Sequence, residues 1–301
     1  MPLHLNFDVD PEEWVGWPAP HYGKKMKNFK FADASIIGVA HDQWGRNNQD
    51  FGYLLLEDRY AIGVVADGCG STITSEVGST IGAQWCAEFL RGYLKKKDPE
   101  AMNNIYTAKE MLHRLLGFLT FQIAGAKGQN WTEIGDDAGL SLIENNFLFT
   151  LVGFVIDNES NSMIFSIGDG FFRINGKDTF MREPNNMPTY VAYALTVQAA
   201  EWDWKPKVRE FMPTQELDHF VVATDGMEEF ATSVGKPFPG KIQEFVPSLE
   251  EIISNDSYFT NQAKLQRLLA KMNPITRPSA RAFGLLGDDT TIIIARRFED
   301  E

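Results

Sequence analysis

Aspartate recurs at the ends of this chain's apolar runs, and that placement limits the folds open to it. Asp67-Gly68 closes AIGVVA, Asp169-Gly170 closes MIFSIG and Asp225-Gly226 closes FVVAT. Two more acidic strings stand ahead of such runs: Asn48-Gln49-Asp50 before FGYLLL, and Asp288-Asp289 before TTIIIA. Short runs rich in Val, Ile and Phe read as strands, and several lie in adjacent pairs, which implies antiparallel pairing. A strand end fixes a carboxylate on a rigid element, and a neighbouring glycine lets backbone or ligand approach. Singly, each Asp-Gly reads as a common turn. Together, on one rim, these carboxylates would make an oxygen-rich site for Mg²⁺ or Mn²⁺.

The rest of the pattern orders these strands. SIIGVAH, FGYLLLE and YAIGVVA come first, followed by a helical pattern over about 75–94 with Val77, Ile81, Trp85 and Phe89 on one face. A second helical stretch covers 103–126. Strand runs return at 147–157 and 162–168, then FFRING. An irregular segment over 177–217 holds several prolines and Trp202 and Trp204, before HFVVAT. Helical patterns near 241–254 and 259–272 precede TTIIIARR. Strands, two helices, strands, helices and a final strand argue for an α+β fold of sheets covered by helices, not alternating βαβ units. Residues 1–33, with Trp14, Trp17 and the basic run Lys24-Lys25-Met26-Lys27, read as an extension packing on a body that spans 34–298.

Length and charge narrow the function. A chain of 301 residues with 44% apolar content can bury a core without staples. No apolar stretch approaches eighteen residues, so no membrane span is expected. MPLHLNFDVDPEEW carries acids where an export signal needs a basic and then an apolar region. Cys69 and Cys86 cannot form a disulfide framework, which suits a reducing compartment and a cytoplasmic location. Forty-one acids against 28 bases give a net charge of −13, which repels a phosphate backbone and argues against nucleic acid as a partner.

The strings themselves say more. NQD, VVADGCGS with EVGSTIGA downstream, TLVGFVI and FSIGDG, VVATDG and GDDTTIIIA resemble, in that order, the metal-dependent protein phosphatases of the 2C type. The match is to a bacterial branch in which NQD and DGxGS replace NED and DGxGG, and it covers about residues 35–297. The resemblance implies a central β-sandwich of two mainly antiparallel sheets flanked by helices on both sides. It also implies a two-metal centre at one end and a phosphoserine or phosphothreonine protein as substrate, with a cognate Ser/Thr kinase. By the same resemblance Asp67 bridges both metals, the Gly68 carbonyl ligates one, and Asp225 and Asp288 complete the other. The family pattern favours Asp288 over its neighbour Asp289. Asp50 orders metal-bound water, and Asp169 joins Asp225 at a looser third metal.

Three departures from the family stand out. Gln49 replaces a glutamate, which removes a charge near the metals. The family's phosphate-gripping arginine falls on Gly45, so Arg46, one residue out of register, is the candidate for that role. His41 and Trp44 are further candidates to line the pocket, although a lone histidine at a strand end more often packs or hydrogen-bonds. Cys69 stands where some relatives place a histidine proton donor, and a thiol is the poorer donor. Gly78 and Gly82 read as close-packing positions, and Ser71 and Ser75 as helix caps.

Rival readings compete with this one. A cysteine phosphatase needs an arginine six residues after its cysteine, and those places hold Ser75 and Gly92. A haloacid-dehalogenase-type phosphatase could use Asp8-Val9-Asp10 with Thr224 and the Asp288-Asp289 pair, but it leaves NQD and DGCGS unexplained. A pseudophosphatase that binds phosphoproteins without turnover would account for Gln49 and the shifted arginine.

Overall fold

The computed structural model describes residues 26–96, 137–183, 188–195, 207–274 and 284–298. Ten strands form two five-stranded sheets, antiparallel at every pairing. The first runs β1 (Phe29–Ile36), β12 (Thr290–Arg297), β9 (His219–Ala223), β6 (Gly170–Ile174) and β7 (Lys177–Met181). The second runs β2 (Phe51–Leu56), β3 (Tyr60–Gly68), β4 (Phe149–Asp157), β5 (Asn161–Ile167) and β8 (Lys207–Pro213). A separate hairpin joins β10 (Pro237–Phe238) to β11 (Lys241–Phe245).

Alternation along the strands explains the layering. Phe220 and Val222 of β9 meet Ala61, Val65 and Phe154 of the opposite sheet, so these faces form the sandwich core. Val221 and Ala223 point the other way, onto Phe230 of α4 (Met227–Ser233), Ile252 of α5 (Leu249–Ser254) and Leu265 of α6 (Ala263–Met272). On the second sheet, Ile62, Val64 and Ala66 pack with Ala83, Cys86 and Leu90 of α2 (Glu76–Lys96) and Ile143 of α3 (Asp137–Asn146). Both faces of the central strands are therefore buried. That is why their sequences read as unbroken apolar runs instead of alternating ones. The result is the expected α+β sandwich, covered by helices on either side. No helix among the described residues is long and apolar enough to cross a membrane.

Several elements differ from the sequence reading. In α2 the buried residues are Gly78, Ser79, Gly82, Ala83, Trp85, Cys86, Ala87, Leu90 and Leu94, with Ile81 and Phe89 packed against them, whereas Val77 is 41% exposed. Small side chains let the helix sit close on the sheet, and Trp85 and Phe89 stack on each other at 5.3 Å beside it. A Cβ on Gly82 would lie 2.4 Å from the Phe149 ring. Overpacking of this kind costs about 1–3 kcal/mol, against about 1 kcal/mol gained in helix propensity. Gly82→Ala is therefore expected to lower the urea midpoint; an unchanged midpoint would mean that the ring swings aside.

Other differences are local. β1 starts at Phe29, so residues 29–33, read as extension, pair with β12. SIIGVAH is not one strand: the chain turns at Gly38 into the short α1 (Val39–Gln43). The irregular stretch 177–217 contains β7 and β8. The helical pattern at 241–254 divides into the exposed β11 and α5, whose start is fixed by a capping box between Ser248 and Glu251. The helical stretch 103–126, Trp202, Trp204 and Asp8 lie outside the described residues.

Candidate metal centre

The strand ends bring the acids together. Phe51 pairs with Ala66, so Asp50 and Asp67 stand one step further along the same rim. Across the sandwich Ala223 pairs with Ile292, which places Asp225, just beyond β9, beside the residues that lead into β12. Asp169 lies in the turn from β5 to β6, between Gly168 (φ +80°) and Gly170 (φ +128°). Only glycine adopts such angles freely, and a Cβ on Gly168 would meet Thr150 at 2.6 Å. Gly226 serves a different need, since a Cβ there would stand 2.2 Å from the Asp289 carbonyl.

Each carboxylate feels the others. Burial pushes the Asp67 carboxyl well above the usual range, and Asp225, Asp50, Asp288 and Asp169 push it further. Asp50 is raised by burial and then by Asp289, partly offset by a hydrogen bond from Thr224. Burial, Asp288, Asp169 and Glu228 raise Asp225 to about 7. Asp169 rises to about 6, mainly through burial. Asp288, although open to the cleft, is raised by partial desolvation from the protein mass around it. Asp50 Oδ1 and Asp169 Oδ1 are buried with no hydrogen-bond partner. Leaving such oxygens unpaired is costly, and a hard divalent cation would satisfy them. The donor set, all oxygen and anionic, fits Mg²⁺ or Mn²⁺. Above it opens a cleft of about 360 Å³, lined by Asp169, Asp225, Asp288, Arg182, Glu228 and Glu229 among others.

Neighbouring residues hold the acids in place. Thr224 Oγ1 donates to Asp50 Oδ2 at 2.6 Å and accepts from the Thr291 amide at 3.0 Å, which ties the two sheets at this end. Asp289, 1% exposed, accepts from the Gly38 amide on Oδ1 and from the Gln49 amide on Oδ2, both at 2.6 Å. His41 Nδ1 is 2.9 Å from Asp289 Oδ2. His41, Asp288 and Asp289 bring metal-ligating atoms within 4.8 Å of one another. Asp289 has spent both oxygens on backbone amides, so Asp288, exposed and on the cleft wall, is the member of the pair left to face a ligand. The roles of Thr224 and Asp289 escaped the sequence reading, because both depend on contacts between distant segments.

A family model described as protein phosphatase 2C matches residues 37–270. The chain belongs to the protein phosphatase 2C family. No curated protein matches the sequence. A crystal structure of a bacterial serine phosphatase superposes with a TM-score of 0.51 at 14% identity, covering 92% of this chain and 100% of the other. A sex-determining protein of C. elegans superposes with a TM-score of 0.54 at 13% identity, covering 91% of this chain and 66% of that one. At these identities the likeness concerns the fold, the helix-covered sandwich described above.

In this 2C phosphatase the departures have definite places. Gln49, fully buried, turns its amide onto the Thr72 carbonyl at 2.9 Å and leaves Oε1 without a partner. Its own carbonyl accepts from Ser79 Oγ at 2.6 Å. Arg46 donates from Nη1 to the Gly70 and Thr72 carbonyls, with its guanidinium 5.1 Å from the Trp44 ring. It is not among the residues that line the cleft. The loop after Asp67 is thus clamped by Arg46 and Gln49 together. Ser75 Oγ donates to the Cys69 carbonyl at 3.1 Å, so it ties this loop instead of capping α2. Cys69 is buried with Sγ 3.1 Å from Ser71 Oγ, and burial and the neighbouring Cys69 push the Tyr190 hydroxyl upward.

Proposed function

We propose that this phosphatase hydrolyses phosphoserine and phosphothreonine in proteins, with two Mg²⁺ or Mn²⁺ ions and room for a third. What supports the reading most is the convergence of Asp50, Asp67, Asp169, Asp225 and Asp288 on one rim, with two buried oxygens unpaired. Asp67 and the Gly68 carbonyl would hold one ion, Asp67, Asp225 and Asp288 the other, and Asp169 with Asp225 the third. Bound there, such cations lower the pKa of water toward neutrality and neutralise the phosphate. Asp50, held by Thr224, offers its free Oδ1 to a water and orients it. Arg46 positions the loop that carries Asp67, through the Gly70 and Thr72 carbonyls. Cys69, packed against Ser71 and Tyr190, takes no part in proton transfer.

The partners this reading implies are phosphoproteins and the Ser/Thr kinase that makes them. The two cysteines, both free and buried, suit a cytoplasmic site of action. The family match removes the ground for the dehalogenase-type alternative built on Asp8.

The test is hydrolysis of p-nitrophenyl phosphate and a phosphoserine peptide with Mn²⁺, with and without EDTA. Turnover is expected only with metal; full turnover in stripped protein would overturn the reading. One observation favours a second reading, a phosphoprotein binder without turnover: Gln49 faces Thr72 where relatives carry a charged glutamate. Phosphopeptide binding with no hydrolysis at saturating Mn²⁺ would select it.

A further inference from the structure

We propose that Arg182 grips the substrate phosphate, exchanging the Glu228 carboxylate for phosphate oxygens; the proposal rests on the phosphatase reading above. Arg182 lies on the wall of the same cleft as Asp169, Asp225 and Asp288, and it is the one cation among the described residues that line it. Its place is fixed by the sheet. Met181 pairs with Gly170, so Arg182 stands one register step on, opposite Asp169.

The guanidinium is already in a phosphate-binding pose. Nε donates to Glu228 Oε1 at 2.7 Å and Nη2 to Glu228 Oε2 at 3.0 Å. This two-pronged fork fits two phosphate oxygens as well as it fits a carboxylate. Nothing among the described residues locks it there. The side chains are 72% and 39% exposed, and an ion pair this open is worth little in water. Glu228 sits in the first turn of α4, three residues after Asp225, so the pair spans the cleft from sheet to helix. A phosphate entering an otherwise acidic cleft would meet this fork, and a more highly charged acceptor would displace Glu228. Arg46, the candidate read from sequence, is engaged with two carbonyls and with Trp44.

The full chain carries the test at saturating Mg²⁺, with Arg182→Ala, Arg182→Lys and Glu228→Gln. Two quantities are read: KM and kcat for a phosphoserine peptide, and the Kd of inorganic phosphate by calorimetry. Arg182→Ala should raise KM and the phosphate Kd by about tenfold to a hundredfold, the worth of a charged hydrogen-bonded fork. Its kcat should change less, and Arg182→Lys should fall between. Glu228→Gln should move both quantities the other way, because it removes the competing carboxylate. If both variants weaken phosphate alike and lower the melting temperature, the pair is a brace and the proposal falls. Unchanged KM and Kd in Arg182→Ala overturn it too, and leave the phosphatase reading standing. A wild-type chain without turnover, whose phosphate binding Arg182→Ala abolishes, would overturn that reading and uphold Arg182.

Discussion

Asp67→Asn should lower kcat/KM of this phosphatase by about a thousandfold while leaving its metal-free fold standing. Losing a ligand proposed to serve two cations removes several kcal/mol of transition-state stabilisation, and about 4 kcal/mol is a factor of a thousand. The fold behaves otherwise, because burial, and then the neighbouring carboxylates, push the Asp67 pKa up. Folded-state values above the unfolded ones mean that the folded chain holds more protons, so its stability falls as pH rises. The loss runs from the ordinary value of 3.8 upward through about 6 for Asp169 and about 7 for Asp225. Metal-free wild type should melt lower at about pH 8 than at about pH 5, and Mg²⁺ should restore more at the higher pH. Asp67→Asn, one charge lighter, should melt at or above wild type in metal-free buffer at about pH 8. Wild-type rates in this variant would refute the assignment, and a collapsed metal-free melt would refute the electrostatic account.

Two adjacent aspartates should fail in opposite ways. Asp289→Ala is expected to cost about 3–5 kcal/mol of stability, because it strands the buried Gly38 and Gln49 amides and removes the carboxylate beside His41. Asp288→Asn, at an exposed position on the cleft wall, should keep the melting curve and lose metal affinity and turnover. Urea denaturation of the metal-free proteins beside Mn²⁺ titrations separates the two. Should Asp289→Ala fold as wild type and bind metal more weakly, the roles of the pair are reversed.

The strands that carry the site were legible because their sequence signals are local. An apolar run that stops at Asp-Gly announces both the strand and the carboxylate at its end, and β3, β5 and β9 follow that pattern. α2 was legible as a helix and its face in part: Trp85 is buried and Ile81 and Phe89 pack against the core, while Val77 is exposed. Hydrophobicity points to Ile81, Trp85 and Phe89 but is silent on Gly78 and Gly82, where small volume lets the helix approach Phe149 of β4. β11 resembled a helix because Ile242 and Phe245 are three apart, yet both are exposed on a two-stranded hairpin. Arg46 and Asp289 show the remaining limit. Their types and positions suit a catalytic centre, and only the distant carbonyls and amides they meet reveal that they brace it.

Strand order also bears on when the centre can exist. β1, the first of the described strands, has β12 as its neighbour in the sheet, and Asp289 at the head of β12 pins Gly38 and Gln49 in the crossing from one sheet to the other. Asp50, at the end of the same crossing, is held in turn by Thr224 beyond β9. Closure over so long a separation is slow, and it must wait for the twelfth strand to be synthesised. A chain emerging from the ribosome therefore displays Asp50, Asp67, Asp169 and Asp225 well before it has the strand that sets their spacing. On the proposed metal-centre reading, activity is expected only once β12 is in place, and a truncation short of Asp288 is expected to leave a loose set of acids in place of a weakened phosphatase.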